Sequence, residues 1–182
     1  MVGQLDHPPL HRPARPAHHQ PHARQVPAGR HAQHRHRMKN TGKPSEETFD
    51  RHFERLGKRA YVHAFTDASE VNGMNKGRGR ITNVKAQPAD RLVVLDGEMF
   101  FAEVKSSVST DDRFDFKLLR KTQGSAAAQA LAAGGAYWIY YHHIRTDEWF
   151  RFPYSLVAAV KDDGKSSIPL DFLRKANRQW TP

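Results

Sequence analysis

The chain has 182 residues, enough for one domain with a tail, and a formal net charge of +10, which points to a polyanionic partner, most commonly nucleic acid. It has no cysteine, which excludes disulfides, thiolate zinc sites and cysteine nucleophiles. No apolar stretch approaches the roughly 18–20 residues that span a bilayer. The N-terminus also lacks the apolar core of a secretory signal, so the chain reads as cytoplasmic with no membrane partner.

Residues 1–37 hold eight of the twelve histidines, six prolines, six arginines and a single acid, Asp6. With almost no large aliphatics, this segment cannot bury enough surface to offset the entropy of ordering, and it is expected to be a disordered tail. A His-rich tract can bind metal and a basic one can touch nucleic acid. Met38 follows at once and is itself a plausible start, so residues 38–182 are taken as the folded domain. They hold 23 basic and 18 acidic residues and remain basic.

The first element is a helix. Pro44 suits its first turn, Glu46 and Glu47 suit the positive end of its dipole, and Gly57 suits its stop. Phe49, Phe53 and Leu56 recur at helical spacing. Ala60–Phe65 reads as a strand. Residues 66–80 carry Asn72-Gly73, Asn75 and Gly77-Arg78-Gly79-Arg80, the signature of a basic loop. Residues 89–107, ADRLVVLDGEMFFAEVKSS, give two strands. A helix is predicted within 114–133, rich in alanine and ended by Gly134-Gly135. Residues 136–141 form another strand, with 148–152 as its hairpin partner, and one or two short helices follow Pro153. This order predicts an α/β fold, a mixed central sheet with helices against it.

Asp96-Gly97 between apolar runs is a strong hairpin signal, because a tight primed turn needs positive φ. With these as the two loop residues, Leu95 faces Glu98 and Val94 faces Met99. The same register puts Asp90 opposite Glu103, with Cβ atoms roughly 4.5–5.5 Å apart on one face. Lys105, two residues on, shares that face. Facing carboxylates repel, and a fold has little reason to hold them there without a cation. Magnesium suits such a pair, being hard and content with one or two carboxylates plus waters and a phosphate. Lys105 beside it would orient or help deprotonate an attacking water, or stabilise charge building on phosphate. The plainer alternative makes Asp90 a turn residue and Glu103 and Lys105 a solvated strand edge.

Two further residues bear on this site. Glu46 shares the stripe of Phe49 and Phe53, whereas Glu47 points elsewhere. Glu46 is either a third carboxylate for the metal or a helix-dipole partner. Gln123 lies on the apolar face of the alanine-rich helix. It either holds water or phosphate near the acids or is a polar residue tolerated at the rim.

In this order the residues resemble the PD-(D/E)xK nuclease superfamily, and within it the RecU-type Holliday-junction resolvases. The resemblance covers about residues 40–155. It rests on Asn40-Thr-Gly-Lys-Pro-Ser-Glu46, Asp90, Phe101-Ala-Glu-Val-Lys105, Phe114, Gln123, Gly134-Gly135 before an aromatic strand, and Phe152-Pro153. Ala89 interrupts the superfamily's Pro-Asp pair. The resemblance implies a restriction-endonuclease-like fold and a homodimer acting on four-way DNA junctions in recombination and repair. It implies Mg2+ or Mn2+ bound by Glu46, Asp90 and Glu103, with Lys105 catalytic and Gln123 supporting the site. Residues 72–86, with Lys76, Arg78, Arg80 and Lys85, occupy the place of a projecting DNA-binding stalk. The alternatives are a nuclease of the same fold acting on linear duplex, or a basic nucleic-acid-binding module with no chemistry.

Overall fold

The computed structural model describes residues 42–65 and 87–182. The predicted tail at 1–37, Asn40, and the basic residues Lys76, Arg78, Arg80 and Lys85 lie outside the described residues. Within them the chain runs α1 (Lys43–Arg55), β1 (Ala60–Ala64), β2 (Arg91–Leu95), β3 (Glu98–Ser107), β4 (Arg113–Asp115) and α2 (Lys121–Ala132). It continues with β5 (Ala136–His143), β6 (Glu148–Pro153), α3 (Tyr154–Asp162), β7 (Ser167–Pro169) and α4 (Leu170–Lys175).

Five strands form one sheet in the order β1-β2-β3-β5-β6. The β1–β2, β2–β3 and β5–β6 pairs are antiparallel, and β3–β5 is parallel. This is the mixed sheet with flanking helices that the element order predicts. The β2–β3 register is also the predicted one, with Leu95 paired to Glu98 and Arg91 to Ala102. Asp96 and Gly97 take φ of 50° and 89°, both positive as a tight primed turn requires.

Alternation along the central strands separates two cores. Phe100, Ala102 and Val104 of β3 and Tyr140 of β5 face α1, where Phe49 and Phe53 are 0% and 2% exposed. Burying each of those rings contributes roughly 2 kcal/mol. Tyr137, Ile139 and Tyr141 of β5 face the other way and pack with Ala127 of α2 and Val157 of α3. Gly124 of α2 is explained by this second layer, since a Cβ there would lie 3.0 Å from the Tyr154 hydroxyl. The outer edge of β6 is covered by the C-terminal segment: Arg151 N–H donates to the Arg178 carbonyl at 2.7 Å, and Trp180 N–H to that of Trp149 at 2.9 Å.

The helix at Lys121–Ala132 falls within the predicted 114–133, but the element ahead of it is not among those predicted: Arg113–Asp115 pairs antiparallel with Ser167–Pro169 in a two-stranded sheet. Phe114 sits opposite Ile168, and both are buried. A three-residue strand whose partner is so distant in sequence leaves no periodic signal.

Arg174 of α4 grips Glu148 of β6 through two hydrogen bonds of 2.9 and 2.6 Å, and Thr146 Oγ1 donates to the same carboxylate at 2.8 Å. The Arg174 bond holds the Glu148 pKa down at about 2, against an ordinary 4.5. A depressed carboxyl pKa stabilises the fold fully above the ordinary value and ceases to as pH falls toward the depressed one. Urea midpoints should therefore fall between pH 4.5 and pH 2. The fall should be shallower in Glu148→Gln, which urea titrations at several pH values would read directly.

Candidate active site

The β2–β3 ladder ends at Arg91–Ala102, while β3 continues beside β5 as far as Ser107. Where the two strands part, the backbone of β3 needs a new partner. Asp90, one residue before β2, supplies it: Asp90 Oδ2 accepts the Val104 N–H at 3.0 Å. The Asp90 carbonyl accepts from Phe65 N–H at 3.1 Å and from Arg91 Nη1 at 2.9 Å. Asp90 is thus held through both its backbone and its side chain.

Glu103 occupies an inward position on the α2–α3 face and is 0% exposed. A carboxylate so buried is costly unless every oxygen is satisfied. Oε1 is contacted by the Lys105 ammonium and by Gln123 Nε2, and Oε2 by the Tyr137 hydroxyl at 3.0 Å. Lys105 Nζ also lies 3.5 Å from Asp90 Oδ2. One ammonium therefore serves both carboxylates, and the predicted grouping of Asp90, Glu103, Lys105 and Gln123 is present. Burial, reinforced by the nearby Asp90 charge, raises the Glu103 pKa against the opposing pull of Lys105. Burial works to deprotonate Lys105, but the two carboxylates outweigh it and its pKa is raised. Lys105 is accordingly a cation here.

Gln123 acts through its amide at both ends. Its Oε1 accepts the Arg120 backbone N–H at 2.9 Å, fixing the start of α2, while its Nε2 reaches Glu103. The side chain contacts the acid directly rather than leaving room for a water or phosphate between them.

Glu46 is placed differently. Its Oε2 lies 3.2 Å from Arg91 Nη2, on the face of the sheet that packs against α1. The same guanidinium takes Asp50 through hydrogen bonds of 2.8 and 3.0 Å. The structure thus ties Glu46 to Arg91 and does not bring it into the Asp90–Glu103 cluster. Among the described residues, no three Asp, Glu, His or Cys side chains converge as a metal-holding group. Glu47 is exposed, as its place on the helix predicts.

Sequence reasoning missed three participants. Tyr137 meets Glu103 only because β3 and β5 pair in parallel with Phe101 beside Tyr137. Arg91 had a signal, a cation inside an apolar strand, but its partners lie on α1. Ser45 is 2% exposed, and its Oγ lies 2.9 Å from His142 Nδ1; His142 Nε2 is 3.0 Å from Asp147. That Ser-His-Asp series is not a hydrolytic triad, because the hydroxyl is buried from any substrate. It pins the first turn of α1 to β5.

As donors, Asp90 and Glu103 offer hard carboxylate oxygens around a position that already carries a cationic group. That chemistry suits a hard divalent ion completed by waters and a phosphate.

No family model matches the chain, and no curated protein matches it. Among solved structures it is similar to Hjc, a Holliday junction resolvase from the archaeal hyperthermophile Archaeoglobus fulgidus. The TM-score is 0.43 with 14% identity, over 63% of this chain and 78% of that one. No helix among the described residues is long and apolar enough to cross a membrane.

The shared ammonium makes a stability prediction. Lys105→Met leaves Glu103 buried without its cation and should cost on the order of 3 kcal/mol in urea denaturation of metal-free protein. Adding Glu103→Gln removes the stranded charge, so the double variant should regain most of that loss.

Proposed function

We propose that the chain is a metal-dependent endonuclease that hydrolyses phosphodiester bonds in branched DNA, with four-way junctions as its substrate. The observation that carries this reading is the convergence of Asp90, Glu103 and Lys105 where β2 and β3 part. Two carboxylates and an amine at one point are the parts that metal-assisted phosphodiester hydrolysis requires.

In this reading Asp90 and Glu103 hold Mg2+ or Mn2+. The bound ion supplies positive charge for the phosphoryl oxygens and lowers the pKa of a water. The residues of the chain do the rest. Gln123 and Tyr137 keep the Glu103 carboxylate from turning. Lys105 places its charge beside the phosphate, where negative charge grows in the transition state. Glu46 joins the ion only by leaving Arg91, so we assign it a supporting place on the α1 side.

Lys76, Arg78, Arg80 and Lys85 lie in the chain between Phe65 and Asp90, which are joined by a backbone hydrogen bond beside the site. We assign them to backbone phosphates, a role that makes affinity fall steeply with salt. A homodimer would present two such sites to the two strands nicked at a junction. Selection of branched DNA would then follow from shape, since no base-reading motif is visible.

The test is nicking of a four-way junction and of a linear duplex by the full chain, with and without Mg2+ or Mn2+. Cleavage should need the ion and favour the junction. Asp90→Asn and Lys105→Ala should each lose at least about a hundredfold in rate. Equal rates on both substrates would remove the junction preference, and a wild-type chain inert on both would remove the nuclease.

A further inference from the structure

Tyr137 has a second contact besides Glu103. Its hydroxyl oxygen lies 3.0 Å from Glu103 Oε2 and also 3.0 Å from the Pro88 carbonyl oxygen. Pro88 stands two residues before Asp90, so one phenol bridges the segment that delivers the first acid and the side chain of the second. A hydroxyl has a single proton and donates to one of these acceptors at a time. Either way, its oxygen stays wedged between them.

The ring cannot retreat. Tyr137 is 1% exposed, and its ring packs against Phe101 at 6.1 Å and Tyr154 at 5.8 Å between centroids. The far oxygen of Glu103 is meanwhile occupied by Lys105 and Gln123. Rotation of the Glu103 carboxylate would break contacts on both sides at once. A buried tyrosine with a purely structural hydroxyl needs one acceptor, and Pro88 alone would meet that need. Here the hydroxyl also touches an acid of the site.

We propose that Tyr137 is a positioning residue that sets the spacing between Glu103 and Asp90, and so the fit of the pair to a divalent ion. This rests on the metal-dependent reading above. Loss of a group that orients a metal-binding carboxylate typically weakens metal affinity about 10–100-fold. The ring contacts survive in Tyr137→Phe, so the variant isolates the hydroxyl. Tyr154→Phe is the control, a neighbouring buried phenol that packs on the Tyr137 ring, whereas the Glu103 oxygens are met by Lys105, Gln123 and Tyr137.

The experiment follows the thermal midpoint of the full chain against Mn2+ concentration without DNA, for wild type and both variants, with kcat and KM for junction nicking in parallel. Tyr137→Phe should raise the half-saturating Mn2+ concentration at least about tenfold. It should lower kcat at a fixed low Mn2+ concentration and leave KM for DNA unchanged, while Tyr154→Phe matches wild type. A half-saturation for Tyr137→Phe within about twofold of a responsive wild type overturns the positioning role and leaves the nuclease reading standing. A wild type that does not respond to Mn2+ overturns both. Should Tyr137→Phe fail to fold, Tyr137→Leu, which likewise has no donor for Glu103, is read in the same way: a raised half-saturation supports the role and an unchanged one overturns it.

Discussion

The burial of Glu103 is the constraint around which the structure is organised. A carboxylate with no exposed surface, in the middle of an aromatic core, survives only if all of its oxygens are met by donors. Three elements supply them: Lys105 from the same strand, Gln123 from α2 and Tyr137 from β5. The positions of α2 and β5 relative to β3 are therefore coupled to one side chain. Replacing this polar knot by apolar residues of similar volume would make a simpler core. That it exists at all is the physical reason to read it as a site.

The opposite face of the sheet follows a parallel logic. Arg91 leaves the strand on the α1 side and is mostly buried, so it too must be satisfied. Asp50, Glu46 and the Asp90 carbonyl share its guanidinium, which anchors α1 to the strand directly after the first acid. Ser45 and His142 fix the same helix one turn earlier against β5. The stretch around Asp90 is thus gripped from both faces. A rigid backbone there is what a pair of carboxylates needs if their separation is to be constant.

The divergence of β2 from β3 explains why these residues meet at one place. While two strands stay paired, their inner faces are filled by side chains and their backbones by each other. Once β2 ends, Val104 N–H has lost its ladder partner and donates to Asp90 Oδ2 in its stead. Cationic Lys105 then has two acids within reach and remains partly open to solvent, its side chain 17% exposed.

Much of the fold was legible in the amino-acid order because the signals were local. Period-two alternation, an Asp-Gly turn and a Phe stripe at helical spacing depend only on near neighbours. So does the hairpin register, which holds from Leu95–Glu98 to Arg91–Ala102 and so brings Asp90, one residue beyond the ladder, near Glu103 and Lys105. Gln123 could be placed on the inner face of its helix, but not against Glu103. The contacts that only tertiary structure decided all join residues whose separation in the chain carries no pattern: Tyr137 to Glu103 through a parallel pair, Arg91 to the acids of α1, and Phe114 to Ile168 in the small sheet. Glu46 shows the limit most clearly. Helical periodicity turns it toward the sheet, yet which charge it meets there depends on how α1 lies across the strands, and that is set by the packing of Phe49 and Phe53.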